Sequence, residues 1–417
     1  MLHIFILLLL LVATPVIAQP TQNLVILTTF SETGLRPVLD AFKEKHPQSE
    51  VRVIQRREAS GLRLLSQKKH DIDIIISSSP TFFQPLIKTQ KLLPFGKAKA
   101  RQNQQQLSED IISFGHTGFG LLWNQHYLAK NNLPIPTNWS DLAQPDYFHH
   151  ISISSPYRSN TTHLMIESIL QEYGWENGWR LLYQMGGNLA SVETNAFALS
   201  EAISRGLIGV GPVIDSYARH YKEQFSYIDF SYQPKSPLLP NYVAIVKNNY
   251  QSRFAEDFVN LLLAQECDNQ TATYEHLIHP KQIKHDDFIE KTFNRKSLDY
   301  HVIQQRSGLV KHLFEQTISN QLPKLNQAWQ LLHSIEKASL KLTEKQQQDF
   351  TLAKQLASTS PVNIDDMQDK VYHELSLFRD NPQVHNYRQQ WRIKMAMQLE
   401  QAIALSQTII NGNPALQ

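Results

Sequence analysis

The chain has 417 residues, with 40 Lys and Arg against 38 Asp and Glu and a formal net charge of +2. So even a balance leaves no basic field to hold nucleic acid or an acidic membrane surface, and any recognition of anions has to be local. Its one cysteine, Cys267, excludes an internal disulfide and lies far from the N-terminal region where a lipid would be attached after cleavage.

Residues 1–18 read as a secretory signal, with an apolar run from Ile4 to Val12 and modest side chains at Val16, Ile17 and Ala18. The charged segment before the run is weak, since only the terminal amine and His3 supply it. The run is too short to span a bilayer, and no later stretch of about 20 apolar residues follows. The expectation is an exported protein of the bacterial periplasm, without disulfides and without direct membrane insertion. A length above 400 residues predicts two or three compact units.

Leu24-Val25-Ile26-Leu27-Thr28-Thr29-Phe30 reads as a buried strand, and Leu35, Val38, Leu39 and Phe42 recur behind it at helical spacing. Val51–Ile54 and Asp71–Ile76 supply two more strands, with a short helix bearing Leu62, Leu64 and Leu65 between them. This βαβαβ order predicts a parallel sheet covered by helices on both faces. Ligands of such sheets gather outside the carboxyl ends of the strands. Thr29 and Ser31 after the first strand, and Ser78 and Ser79 after the third, therefore fall on one rim. Turn chemistry accounts for each hydroxyl taken singly, and Ser79 followed by Pro80 is also the pattern of a helix start.

After Leu107 the rhythm changes, and Gly115 to Asn124 reads as strands near a crossover between two lobes. Ile151–Ser154 opens a second α/β unit. Its strand runs into Ser154-Ser155-Pro156-Tyr157-Arg158-Ser159-Asn160-Thr161-Thr162-His163, where five hydroxyls and one arginine precede a helix. Free N–H groups and partial positive charge at a helix N-terminus suit phosphate or carboxylate. N-capping with polar loop packing would select the same residues. Trp175 and Trp179 sit at i, i+4 and are expected in the core. Gly206 to Ile214 reads as a glycine-punctuated strand ending at Asp215, without the GxGxxG spacing of a dinucleotide site. Tyr242–Val246 is a further strand, and Phe254, Phe258 and Leu262 mark the helix after it. Tyr242 itself is expected to serve packing.

From Leu309 onward the apolar positions keep helical steps, as in Ile318, Leu322, Leu325, Trp329 and Leu332, and again from Tyr387 to Ile409. Three or four helices are predicted, forming a bundle or packing on the second lobe. The tail is open to two readings, a structural cap or a partner-binding surface. Truncation near residue 305 is expected to spare ligand binding. No G-x-S-x-G elbow, H-E-x-x-H or P-loop occurs in the chain. His149, His150 and His163 are chemically able to ligate a metal, but adjacent histidines are more often surface residues. No catalytic residue, metal or cofactor is assigned.

Two α/β lobes behind an export signal resemble the type II periplasmic solute-binding proteins of the iron and organophosphate receptor branch. The likeness is carried by Gly118–Asn124, Ser154–Ser168 and Gly209–Ala218, and it sharpens toward regulators of phosphoglycerate transport. It implies a two-lobed α/β fold of type II with an all-helical C-terminal extension. The implied organisation is a signal at 1–18, a binding region at 19–300 and the extension at 301–417. Lobe 1 would take roughly 19–115 plus a returning segment, and lobe 2 roughly 116–240.

The resemblance further implies that Ser154, Ser155, Arg158, Ser159, Thr161 and Thr162 line the anion side of a cleft, faced by Thr29, Ser31, Ser78 and Ser79. Asp215 would meet a ligand hydroxyl, or else cap the helix beginning there. Iron receptors of this branch present two adjacent tyrosines near this point, whereas Asp215-Ser216-Tyr217 has one. The implied ligand is a small phosphorylated carboxylate, phosphoglycerate or phosphoenolpyruvate. The implied partner is a membrane sensor kinase that induces the phosphoglycerate transporter. The alternative is the substrate-binding subunit of an ABC importer for an organophosphate or ferric iron.

Overall fold

The computed structural model describes residues 23–30, 32–95, 107–234, 236–247, 253–264, 298–338, 342–364, 375 and 382–413. The signal expected at 1–18, Ser31 and Cys267 lie outside the described residues.

The first sheet holds β1 (Asn23–Thr28), β2 (Glu50–Gln55), β3 (Ile74–Ser77), β4 (Leu92–Leu93), β5 (Ile112–Thr117) and the late strand β11 (Leu239–Val246). Its order is β2-β1-β3-β11, with β4 and β5 both pairing the far side of β11. The first three strands are parallel as predicted. The sheet as a whole is mixed, because β11 returns from the second lobe and runs antiparallel to β3, β4 and β5.

Alternation of side chains gives this sheet two apolar faces. Leu24, Ile26, Ile74, Ile76, Val243 and Ile245 meet one helical layer, made by Leu35, Val38 and Phe42 of α1 (Glu32–Lys45) and Phe254 and Phe258 of α9 (Arg253–Ala264). Val25, Leu27, Ile75 and Ala244 meet the other, made by Leu65 of α2 (Glu58–Ser66) and Phe82, Phe83 and Leu86 of α3 (Pro80–Lys88). Burial on both faces is why β1 reads as an unbroken apolar run. Tyr242 packs as expected, with its ring 6.0 Å from Phe83.

The second sheet runs β10 (Ile228–Tyr232), β6 (Phe119–Asn124), β9 (Val210–Ile214), β7 (Ile151–Ser154) and β8 (Leu189–Glu193), with the short helix α4 (Gln125–Lys130) directly after β6. One face, with Leu122, Val213 and Ile228, is covered by α7 (Ala196–Ser204) and α8 (Asp215–Gln224) through Leu199, Ile203, Ala218 and Tyr221. Only Gly118 separates β5 of the first sheet from β6 of the second, and residues 233–238 carry the chain back to β11. Next to this crossing Gly120 is obligatory. A Cβ there would lie 2.0 Å from the carbonyl oxygen of Ser231 on β10.

The other face of the second sheet builds a single core with the C-terminal helices. Phe119, Leu121, Ile151 and Ile153 pack under α5 (Asn160–Tyr173) and α6 (Trp175–Gly187), and the same cluster continues into the extension. The extension comprises α10 (Tyr300–Thr317), α11 (Leu322–Lys337), α12 (Glu344–Ser358) and α13 (Pro382–Asn411). Trp179 is fully buried as predicted, Tyr183 donates to Thr317 Oγ1 at 2.9 Å, and Trp175 Nε1 donates to the Val362 carbonyl at 3.0 Å. The absence of side chains at Gly186 and Gly187 lets α11 sit against α6, since a Cβ on Gly187 would lie 2.1 Å from Trp329 Cδ1. The helices thus pack on the second lobe and complete its core. This shared interior argues against the expectation that truncation near residue 305 spares ligand binding, because the cut would open the core of the second lobe.

Candidate ligand-binding cleft

Between the sheets lies a cleft of about 1940 Å³. Six strand-to-helix junctions open onto it: Thr29 and Phe30 after β1, Arg56 to Glu58 after β2, Ser78 and Thr81 after β3, Arg158 to Thr161 after β7, Asn195 to Phe197 after β8, and Ser216 and Tyr217 after β9. The parallel strand-helix order causes this convergence, because each strand delivers its carboxyl end, and the N-terminus of the next helix, to the same side. The volume is larger than the 300–1,000 Å³ usual for a small-molecule pocket, which marks an open cleft between lobes.

The N-terminus of α5 is the most developed of the six. Ser159 Oγ accepts the Thr162 N–H at 3.2 Å, which caps the helix and leaves the N–H groups of Asn160 and Thr161 outside the intrahelical ladder. Both polar atoms of the Asn160 side chain are shielded from solvent and unpaired among the described residues. Arg158 stands exposed beside them. Neither Arg57 at the N-cap of α2 nor α8's N-cap Ile214 makes a side-chain cap, so partial positive charge also faces the cleft there.

Of the residues singled out from the sequence, Thr29, Ser78, Arg158, Ser159 and Thr161 line the cleft. Others lie behind its wall with partners already chosen. Ser154 Oγ and Thr162 Oγ1 bond each other in the interior. Ser155 Oγ donates to Glu315 Oε2 at 3.2 Å, and Ser79 Oγ donates to Glu58 Oε2 at 2.9 Å. These hydroxyls position the loops. Asp215 is neither a lining residue nor the cap of α8. Its carboxylate is wholly buried, accepting the Gly118 N–H at 2.7 Å and the Tyr232 hydroxyl at 3.1 Å, with Arg219 Nη2 3.9 Å away. Burial pushes its pKa up to about 7 against the pull of Arg219 and of hydrogen bonds from Gly118, Tyr232 and the Ser216 backbone. The residue therefore ties the crossing glycine to α8.

Sequence reasoning missed Arg56 and Arg57, although they follow β2 directly and the rule that located the other rim residues applies to them. Nothing in the sequence pointed to α10, which lines the cleft with His301, Gln304, Gly308 and Lys311. Arg57, Arg158 and Lys311 carry no ion pair among the described residues, and Glu58 is the one carboxylate on the lining. A local cationic site thus exists in a chain of nearly balanced charge. Tyr217, the single tyrosine at the position of interest for iron, has its phenol pKa raised by burial, which disfavours phenolate.

This arrangement has clear relatives. The chain is 32% identical over 329 residues to the phosphoglycerate transport regulatory protein PgtC of Salmonella typhimurium, covering 76% of this chain and 82% of that protein. Among solved structures it resembles the periplasmic binding protein AfuA of Actinobacillus pleuropneumoniae with fructose-6-phosphate bound, at a TM-score of 0.58 and 16% identity over 74% of this chain and 97% of AfuA. It also resembles the apo ferric ion-binding protein A of Pasteurella haemolytica, at a TM-score of 0.56 and 14% identity over 70% of this chain and 98% of the other. These likenesses establish the two-lobed type II periplasmic-binding-protein fold, here with a helical extension. A family model for bacterial extracellular solute-binding proteins matches residues 70–301, and the chain belongs to that family.

Proposed function

We propose that the protein is a periplasmic receptor for a phosphorylated three-carbon acid, phosphoglycerate or phosphoenolpyruvate. It acts with a membrane sensor kinase to induce a phosphoglycerate transporter. The observation that carries the ligand class is the junction of α5, where Arg158, the first N–H groups of the helix and the unpaired Asn160 side chain converge on the cleft. A phosphate needs several donors at once, and a guanidinium beside a helix N-terminus supplies them. The partnership rests on the similarity to a phosphoglycerate transport regulator.

Binding proceeds by closure. The open cleft is wider than a three-carbon ligand, so Arg158 and Thr161 on one lobe and Arg57 and Ser78 on the other reach the same molecule only when the lobes approach about the Gly118 crossing. A ligand that bridges them shifts the open population to the closed one. The closed surface is then what the kinase reads.

Delivery of an organophosphate or ferric iron to an importer's permease would use the same cleft. The extension favours sensing, because α10 belongs both to the cleft wall and to the core of the second lobe. Calorimetric titration with 3-phosphoglycerate, inorganic phosphate and ferric citrate tests the ligand class. Micromolar binding of 3-phosphoglycerate alone is expected, and a preference for ferric citrate would reject the reading. Deletion of the gene should abolish phosphoglycerate-dependent induction of the transporter. Loss of uptake with induction intact would instead mark an importer subunit.

A further inference from the structure

Helix α10 carries a face directed at the cleft, with His301, Gln304, Gly308 and Lys311 at successive steps of three or four. At the next step Glu315 accepts the Ser155 hydroxyl at 3.2 Å, and the ring of His312 lies 5.4 Å from that of Tyr157, the neighbour of Arg158. The anion-binding loop and the end of α10 that bears Lys311 are therefore docked together. Lys311 is half-buried, carries no ion pair among the described residues, and adds to the burial that disfavours protonation of the nearby His163 imidazole of α5. A lysine on the cleft wall with no carboxylate of its own is placed to receive an anion.

We infer that Lys311, supplied by the helical extension, is the specificity-determining contact for a second anionic group on the ligand, so that the cleft selects phosphate esters that also carry a carboxylate. The inference rests on the organophosphate reading above and deepens it. Arg158 and the N-terminus of α5 match the several oxygens of a phosphate, for which a planar guanidinium is suited. Lys311 is a point charge on a flexible stem, which suits a carboxylate at a variable distance. The extension then contributes to recognition directly, and occupancy of the cleft is felt by a helix whose other side lies in the core of the second lobe through Leu309, Val310 and Leu313.

The test compares 3-phosphoglycerate with glycerol 3-phosphate, which lacks the carboxylate, by calorimetry on the wild-type protein, Lys311→Met and Lys311→Arg. The wild type should bind 3-phosphoglycerate at least about tenfold more tightly than glycerol 3-phosphate, as one charge-assisted contact predicts. Lys311→Met should erase that ratio by weakening 3-phosphoglycerate while leaving glycerol 3-phosphate unchanged, and Lys311→Arg should restore most of it. Equal wild-type affinities, or a loss in Lys311→Met that is the same for both ligands, overturns the assignment and leaves the receptor reading standing. Wild-type silence toward both ligands overturns the receptor reading and the assignment together. Where Lys311→Met fails to fold, Lys311→Gln, which keeps a polar side chain and removes the charge, carries the same expectation and the same overturning result.

Discussion

Arg306 of α10 and Glu167 of α5 form a two-pronged ion pair in the interior, with Arg306 Nε and Nη2 lying 3.0 and 2.7 Å from Glu167 Oε2. Glu167 is fully buried, Arg306 nearly so, and the guanidinium also sits 5.6 Å above the Trp175 ring. Burial alone would raise the Glu167 pKa, but His163 and Arg306 outweigh it and hold the carboxyl below its usual range. The pair joins the extension to the helix whose N-terminus faces the cleft.

Removing one partner should be far worse than removing both. Glu167→Ala strands a buried guanidinium, and a broken buried pair costs about 3–5 kcal/mol. The double variant Glu167→Leu with Arg306→Met should recover most of that loss, because neither charge is then desolvated. Urea unfolding of the wild type, Glu167→Leu, Arg306→Met and the double variant measures the coupling. Additive losses in the double variant would show that the two side chains do not act as a pair.

The extension should be inseparable from the second lobe. Truncation at residue 305 removes Leu325, Trp329 and Leu332 from the cluster that also contains Trp179 and Leu182, and so exposes the far face of α6. The expected product is insoluble or lacks a cooperative transition. Gly187→Val is a gentler probe, since its side chain would have to displace Trp329, whose Cβ lies 2.7 Å from the position of an added Cβ. Overpacking of this kind costs about 1–3 kcal/mol. A truncated chain that unfolds cooperatively at the wild-type midpoint would make the tail a separate unit.

β1, β2, β3, β7, β9 and β11 were legible in the sequence as apolar runs, and β1, β3 and β7 run into hydroxyls, whereas β4, β8 and β10 are too short or too mixed to announce themselves. Arg158, Ser159 and Thr161 were found by the same logic. Ser154, Ser155 and Thr162 look identical in sequence, yet the chain uses them internally. Whether a hydroxyl faces a ligand or Glu315 depends on a residue 160 positions away. The mixed first sheet and the buried role of Asp215 were hidden for the same reason. β11 and Gly118 are brought in by crossings that no local pattern encodes. Lys311 lies on an amphipathic helix whose cleft-facing stripe only the packing of α10 against both lobes defines.

Arg158 and Ser154 should separate binding from structure. Arg158→Ala is expected to weaken 3-phosphoglycerate by at least about tenfold, the value of one charge-assisted contact, without moving the thermal midpoint, because its side chain is exposed in the open cleft. Ser154→Ala should do the reverse. It leaves Thr162 Oγ1 without its buried partner, lowering stability by about 1–3 kcal/mol while affinity is kept. Titration and thermal melts of both variants distinguish the roles. Unchanged affinity in Arg158→Ala would remove that residue from the site.

Asp215 should make stability fall with rising pH. Its carboxyl has an ordinary value of 3.8 and is pushed to about 7 by burial in the folded protein, so between those values the folded state holds a proton that the unfolded chain has lost. Where the folded state binds more protons, unfolding free energy declines as pH rises. The stabilisation is full below the unfolded value and is lost as pH rises through the folded one, a difference on the order of 4 kcal/mol. Asp215→Asn keeps an oxygen to accept the Gly118 N–H and cannot titrate, so its contribution to the slope should vanish. Urea unfolding at about pH 5 and pH 8 should show the wild type losing more stability than the variant across the interval. Equal losses would mean that Asp215 is ionised throughout, held by Arg219 and its hydrogen bonds. If ionisation instead loosens the Gly118 tie, ligand affinity should change over the same interval in the wild type alone, linking the protonation state of this one carboxyl to closure of the cleft.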